Sequence, residues 1–253
     1  MKSVSKKLKK VLFILSVTIN LLLLGGLGYV LVNDLGVDYL FQKRLDIKNQ
    51  DRLAGVEIPD KFDIYPANID PIIMLGDDIT EGINWSEFIG SKVVGRGVEG
   101  ETTQNMIDRL DAIASSAPSQ IFILAGINDF NNVRTDKSAE QAKQGLIQNY
   151  RVILEAIKKS NPKTQIYVQS ILPVNTEISF FFYKDINELI KETNTKLKET
   201  AGEFGATYIN LFDSFYDGGN LYSNYTVDGV QLTSLGYLKW KEIITPFMNQ
   251  RVQ

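Results

Sequence analysis

The chain has 253 residues, 44% of them hydrophobic and 10% aromatic, so it can bury the core of one domain of about 200 residues once a terminal segment is set aside. Cysteine and histidine are both absent, which excludes disulfides, thiolate metal sites, cysteine nucleophiles and the commonest zinc and iron ligands; a metal would have to be held by oxygens, as calcium or magnesium can be. Lys2, Lys6, Lys7, Lys9 and Lys10 crowd the first ten residues, and the remainder holds 22 basic against 30 acidic residues, an acidic body that argues against a nucleic-acid partner.

Residues 1–10 read as a basic cytoplasmic tail. Residues Val11 to Val32 follow without a single charge, and Asn20 is their only strongly polar side chain. As a helix this stretch would be about 33 Å long, enough for a bilayer core of about 30 Å. Lysines on its N-terminal side predict a cytoplasmic N-terminus and an exported C-terminal domain. A cleaved signal peptide is the alternative, but the apolar run exceeds a usual signal core and no Ala-x-Ala-like site follows; a buried core helix is the remaining reading. The expectation is therefore a single-pass transmembrane signal anchor over 11–32, with the domain extracellular. Residues 33–67 mix charges with weak periodicity and read as a stalk, with a short helix possible over Leu40 to Arg52 and Pro59 and Pro66 before the domain.

From 68 to 253 short apolar runs alternate with helical patterns. Pro71–Leu75, Ser91–Val94, Gln120–Ala125, Gln165–Leu172 and Thr207–Leu211 read as strands, several rich in consecutive Ile and Val as buried parallel strands are. Thr102–Ala114, Ala139–Ser160, Asp185–Phe204 and Ser234–Met248 carry apolar residues at helical spacing. Such alternation predicts a three-layer α/β/α domain around a mostly parallel, flavodoxin-like sheet. Ligands of such sheets bind beyond the carboxyl ends of the strands, where Gly76–Thr80, Gly95–Gly100 and Gly126–Asp129 fall.

Four short segments have chemistry of their own. Gly76-Asp77-Asp78-Ile79-Thr80 follows the first strand, where a tight turn needs glycine and the next residues open a helix. Gly95-Arg96-Gly97-Val98-Glu99-Gly100-Glu101-Thr102-Thr103 includes Gly100, where the backbone can come close to a ligand. Gly126-Ile127-Asn128-Asp129 offers the Asn128 amide, which can donate to a developing negative oxygen. Asp228-Gly229-Val230-Gln231-Leu232 lies near the C-terminus. Taken singly, the glycines could simply make turns and Asn128 could cap a loop.

In this order the four resemble the blocks of the SGNH (GDSL-like) hydrolase family, over about residues 70–247. The resemblance implies that Gly100 and Asn128 are oxyanion-hole donors. It also implies that Asp78 stands where that family has its nucleophilic serine, and Gln231 where it has its histidine base, with Asp228 as the orienting acid. Serine-type acyl transfer needs an imidazole to take the hydroxyl proton. A glutamine amide has no useful basicity, and no other histidine exists. In a studied serine protease, loss of serine or histidine costs about a million-fold. The Asp78 carboxylate would also occupy and repel at the oxyanion position. Gly95 replaces an asparagine common in the second block, a smaller departure.

The expected function is accordingly a membrane-anchored, extracellular pseudoenzyme without serine-esterase activity. It would bind a cell-envelope glycan, an acylated small molecule or a protein partner of unknown kind, with no cofactor. The enzymatic alternative is an esterase on envelope polysaccharide or lipid, using Asp78 as nucleophile or a metal held by Asp77, Asp78, Asn128 and Asp228. A purely structural tether is the third reading. Gln231 is expected to bridge Asp78 and Asp228 through its amide, which has two donors and one acceptor. The aromatic run Ile178–Tyr183 and Tyr216, Tyr222 and Tyr225 could line the rim or simply pack, Tyr237 and Trp240 are expected in the core, and the sequons at Asn84 and Asn224 are uninformative without a eukaryotic context.

Overall fold

The computed structural model describes residues 70–179 and 182–248. The tail, the expected span 11–32, the stalk, and Phe180 and Phe181 of the rim run lie outside them. No helix among the described residues is long and apolar enough to cross a membrane.

Five strands form one sheet in the order β2-β1-β3-β4-β5, every pair parallel. They are β1 (Ile72–Gly76), β2 (Val93–Gly97), β3 (Gln120–Leu124), β4 (Gln165–Gln169) and β5 (Thr207–Ile209). Helices fill the connections: α1 (Asp78–Glu81), α2 (Trp85–Phe88), α3 (Thr103–Ile107), α4 (Leu110–Ser115), α5 (Asp136–Ser160), α6 (Ile186–Glu203), α7 (Phe212–Phe215) and α8 (Ser234–Met248). Ile121, Phe122, Ile123 and Leu124 of β3 are all buried. Successive strand residues face opposite sides, so both faces of the sheet are covered. On one face Phe122 stacks on Tyr167, which meets Phe247 of α8 edge-on. Trp240 of α8 is fully buried against Trp85 of α2, as the core reading of Trp240 and Tyr237 expects.

Several element boundaries differ from the sequence reading, and three of the differences bear on the site. The second strand lies two to three residues later than expected and takes in Gly95 and Gly97, which pair with Met74 and Gly76. These glycines are close-approach positions rather than turns. A Cβ on Gly97 would lie 2.2 Å from Glu81 N, and one on Gly95 2.9 Å from the Trp85 ring, so α1 and α2 can pack on this strand only if both lack side chains. The fourth strand stops at Gln169 although its apolar run continues. Ser170 N still donates to Ile209 O of β5 at 3.0 Å, and from Ile171 onward side chains of α6 hydrogen-bond the backbone. Asn194 pairs with both the N–H (2.8 Å) and the C=O (2.9 Å) of Ile171, and Asn187 does the same for Val174 (both 2.8 Å). The helix expected over Thr102–Ala114 is two, because the chain tightens at Asp108 and Arg109 into hydrogen bonds to residues three back.

The sheet order reverses direction beside β1, since the chain passes from β1 to β2 on one side and then to β3 on the other. The carboxyl ends of β1 and β3 therefore flank the switch point where doubly wound sheets bind ligands.

Candidate functional site

The turn after β1 is built to exclude side chains. A Cβ on Gly76 would sit 2.1 Å from Thr80 Oγ1 and 2.2 Å from Leu124 O. Asp77 caps α1, its carboxylate accepting from Ile79 N at 3.2 Å. It is fully buried. Burial pushes its carboxyl well above the usual carboxylate range, the charge of Asp78 pushes the same way, and the Ile79 N–H only partly offsets both. The Tyr237 hydroxyl donates to Ile79 O at 2.8 Å and so ties α8 to this turn.

Asp78 is half-buried, and its Oδ2 accepts from Asn128 Nδ2 at 2.6 Å. Asn128 stands on a short 3-10 turn, Asn128–Phe130, after β3. Its amide also donates to Glu101 O at 3.1 Å, while its own oxygen accepts from Asn131 at 3.1 Å. Gly100 precedes Glu101 and adopts φ +71°, a left-handed conformation that favours glycine. The turn around it is pinned by Val98 N donating to Gly76 O (3.2 Å), and by Glu99 N donating to the Glu81 carboxylate. The fold thus brings Asp78, Asn128 and the Gly100–Glu101 segment together. The Asn128 amide, expected as an oxyanion donor, donates here to Asp78 and to Glu101 O.

The last block is organised differently. Asp228 Oδ1 accepts from the backbone N–H groups of Val230 (2.9 Å) and Gln231 (2.7 Å). Gly229 has φ +97°, and its carbonyl accepts from Asn175 N at 2.8 Å. The Gln231 carbonyl accepts from Thr226 Oγ1 and Val227 N. Among the described residues the Gln231 amide makes no hydrogen bond to Asp78 or Asp228. In place of the expected bridge, Asp228 accepts from backbone N–H groups of its own loop, as an Asx turn does. Nor do the described residues gather three or more acidic side chains that could hold a metal, so the set Asp77, Asp78, Asn128 and Asp228 forms no such cluster.

Three supporting residues went unnoticed in the sequence. Asp129 accepts from Thr103 N (3.0 Å) and Thr103 Oγ1 (2.5 Å), and burial raises its carboxyl despite those bonds. Glu101 and Arg109 form an ion pair hidden from solvent. Nothing local marks such charges as buried; only the fold does. Tyr183 donates to Asp136, and that hydrogen bond, ahead of desolvation and the Asp136 charge, pushes the phenol up to about 12. Tyr216 lies under the Lys191 ammonium, 4.5 Å from its ring centre, and Tyr222 is exposed.

Solved structures share this architecture. A protein from Streptococcus pneumonia, solved as a proposed platelet activating factor, superposes with a TM-score of 0.63 at 25% identity over 87% of this chain and 99% of that one. A proposed acylhydrolase from Bacteroides fragilis NCTC 9343 gives 0.61 at 23% identity, over 79% and 93%. A GDSL-like lipase from Bacteroides thetaiotaomicron VPI-5482 gives 0.60 at 22%, over 81% and 96%. The last two, below 25% identity, speak to the fold. A search among curated proteins found no match. The model of the GDSL-like lipase/acylhydrolase family matches residues 74–239, which span all four blocks from the turn after β1 into α8, and the chain belongs to that family.

Proposed function

We propose that this family member is a pseudoenzyme for serine-type ester hydrolysis that uses the inherited cleft to bind a cell-envelope glycan or a protein partner, tethered by residues 11–32 with its domain outside the cell. One observation carries the reading. In a chain without histidine, a carboxylate at position 78 holds the Asn128 amide that would otherwise face an oxyanion. A tetrahedral intermediate would bring a second negative charge to that point. The uncharged stretch Val11 to Val32 supports the tether.

The full-length protein is expected to hydrolyse p-nitrophenyl acetate no faster than buffer. Turnover that disappears in Asp78→Ala would overturn the pseudoenzyme reading and favour a carboxylate nucleophile. A glycan array then separates binding from tethering: specific retention of envelope-type glycans supports the cleft as a binding site, and none at all favours the tether. The double variant Asp78→Ser with Gln231→His is expected to gain measurable esterase activity.

A further inference from the structure

Arg109 occupies an unusual place among the charged residues. Its side chain is 9% exposed and that of its partner Glu101 6%. Its Nε donates to Glu101 Oε1 at 2.7 Å and its Nη2 to the other carboxylate oxygen. The same Nη2 reaches Arg96 O at 2.9 Å, on β2, and Gly76 O at 3.4 Å, at the end of β1. Glu101 in turn offers its carbonyl to the Asn128 amide, and it directly follows Gly100. One guanidinium therefore stands behind all three segments of the site: the β1 end that leads into Asp78, the turn that carries Gly100, and, through Glu101, the Asn128 side chain.

Stability alone is a poor reason for this arrangement. Burying an ion pair costs desolvation of both charges, and well-packed apolar replacements are often neutral or stabilising. A planar fork with several donors at fixed angles serves geometry instead. Breaking the pair also has a local consequence: without Arg109, the buried Glu101 carboxylate loses its counter-charge and takes up a proton or turns towards water, and either change loosens the hold on the Gly100 turn and the Glu101 carbonyl.

We infer that Arg109 is a positioning residue, which acts through Glu101 to hold the Gly100 N–H and the Asn128 amide in register with Asp78. This holds whether the cleft binds or catalyses, so its test reads the donors and not turnover. Nitrogen-15 spectra and amide exchange of the full-length chain compare wild type with Arg109→Met and Arg109→Lys. In Arg109→Met the Gly100 amide and the Asn128 side-chain amide shift and exchange faster, while amides of the β4–β5 pair, such as Val168 and Ile209, keep their positions. Lysine, which restores charge without the fork, returns the two signals only part of the way. Unchanged Gly100 and Asn128 signals alongside a lowered melting temperature would reduce Arg109 to a structural ion pair and overturn the inference. If Arg109→Met does not fold, Glu101→Gln is read in its place: it keeps the size of the side chain and removes its charge. The same two signals must move there, and their constancy counts equally against the role.

Discussion

The turn after β1 and the loop before α8 are built in opposite ways. In the first, residues far apart in the chain complete one another: Asp78 meets Asn128, Asn128 meets Glu101, and Glu101 meets Arg109. In the second, Asp228 satisfies the N–H groups of the two residues just beyond its neighbour, and the Gln231 side chain is left without a hydrogen bond among the described residues. A hydrolase of this kind needs both regions to face a common substrate. Here one is a cross-linked polar network of side chains, and in the other the Asp228 side chain serves its own loop, which Asn175 N ties down through the Gly229 carbonyl. The difference shows that the turn after β1 depends on contacts between distant segments, whereas Asp228 is held by backbone groups of its own loop.

The strongest way to test that contrast is steric. Gly76→Ala forces a Cβ against Thr80 and the Leu124 carbonyl, so a destabilisation of about 3 kcal/mol is expected in denaturant unfolding. A cost within error of zero would mean that the turn is far softer than its geometry implies. Next comes Asn128→Ala, which leaves Asp78 and the Glu101 carbonyl without a donor. It should cost about 1–3 kcal/mol, measured in the same way. In the last block Asp228→Ala removes an exposed acceptor that water can replace, with an expected cost of about 1 kcal/mol. Gln231→Ala should change stability by only about 0.5 kcal/mol or less. A larger loss at Gln231 than at Asn128 would invert the comparison.

A pH series sharpens the same point at Asp77. Its folded carboxyl titrates well above the ordinary 3.8, chiefly because it is buried. Its stabilising share is thus complete below the unfolded value and is lost as pH rises through the folded one. Asp77→Asn has no such loss. The melting temperature of the variant relative to wild type should therefore climb as pH rises above the unfolded carboxylate value of about 4. Parallel curves would show that Asp77 ionises without penalty.

Much of the fold was legible because its signals are local. Ile72–Leu75 and Ile121–Leu124 are apolar on consecutive positions, which is how strands covered on both faces read. The misread boundaries share a cause. Glycine is a poor strand former, so Gly95 and Gly97 read as loop, although their lack of side chains is what lets α1 and α2 lie on β2. The run Gln165–Leu172 reads as one strand because hydrophobicity cannot reveal that Asn187 and Asn194 complete the backbone beyond Gln169. Asp78, Asn128 and Gly100 could be named from their motifs. The Gln231 bridge is not formed among the described residues, where Asp228 holds backbone N–H groups of its own loop.

From the amino-acid order alone come the α/β alternation, the succession of four family blocks and the lack of any imidazole, since each depends only on residue type and spacing. The tertiary structure alone decided that Asp78 holds Asn128 across fifty positions, that Arg109 grips Glu101 behind them, and that Asp228 turns inward on its own loop. The first two of these contacts gather at the ends of β1, β2 and β3, and their distances are set by the parallel register of those strands, which no local pattern of residues contains.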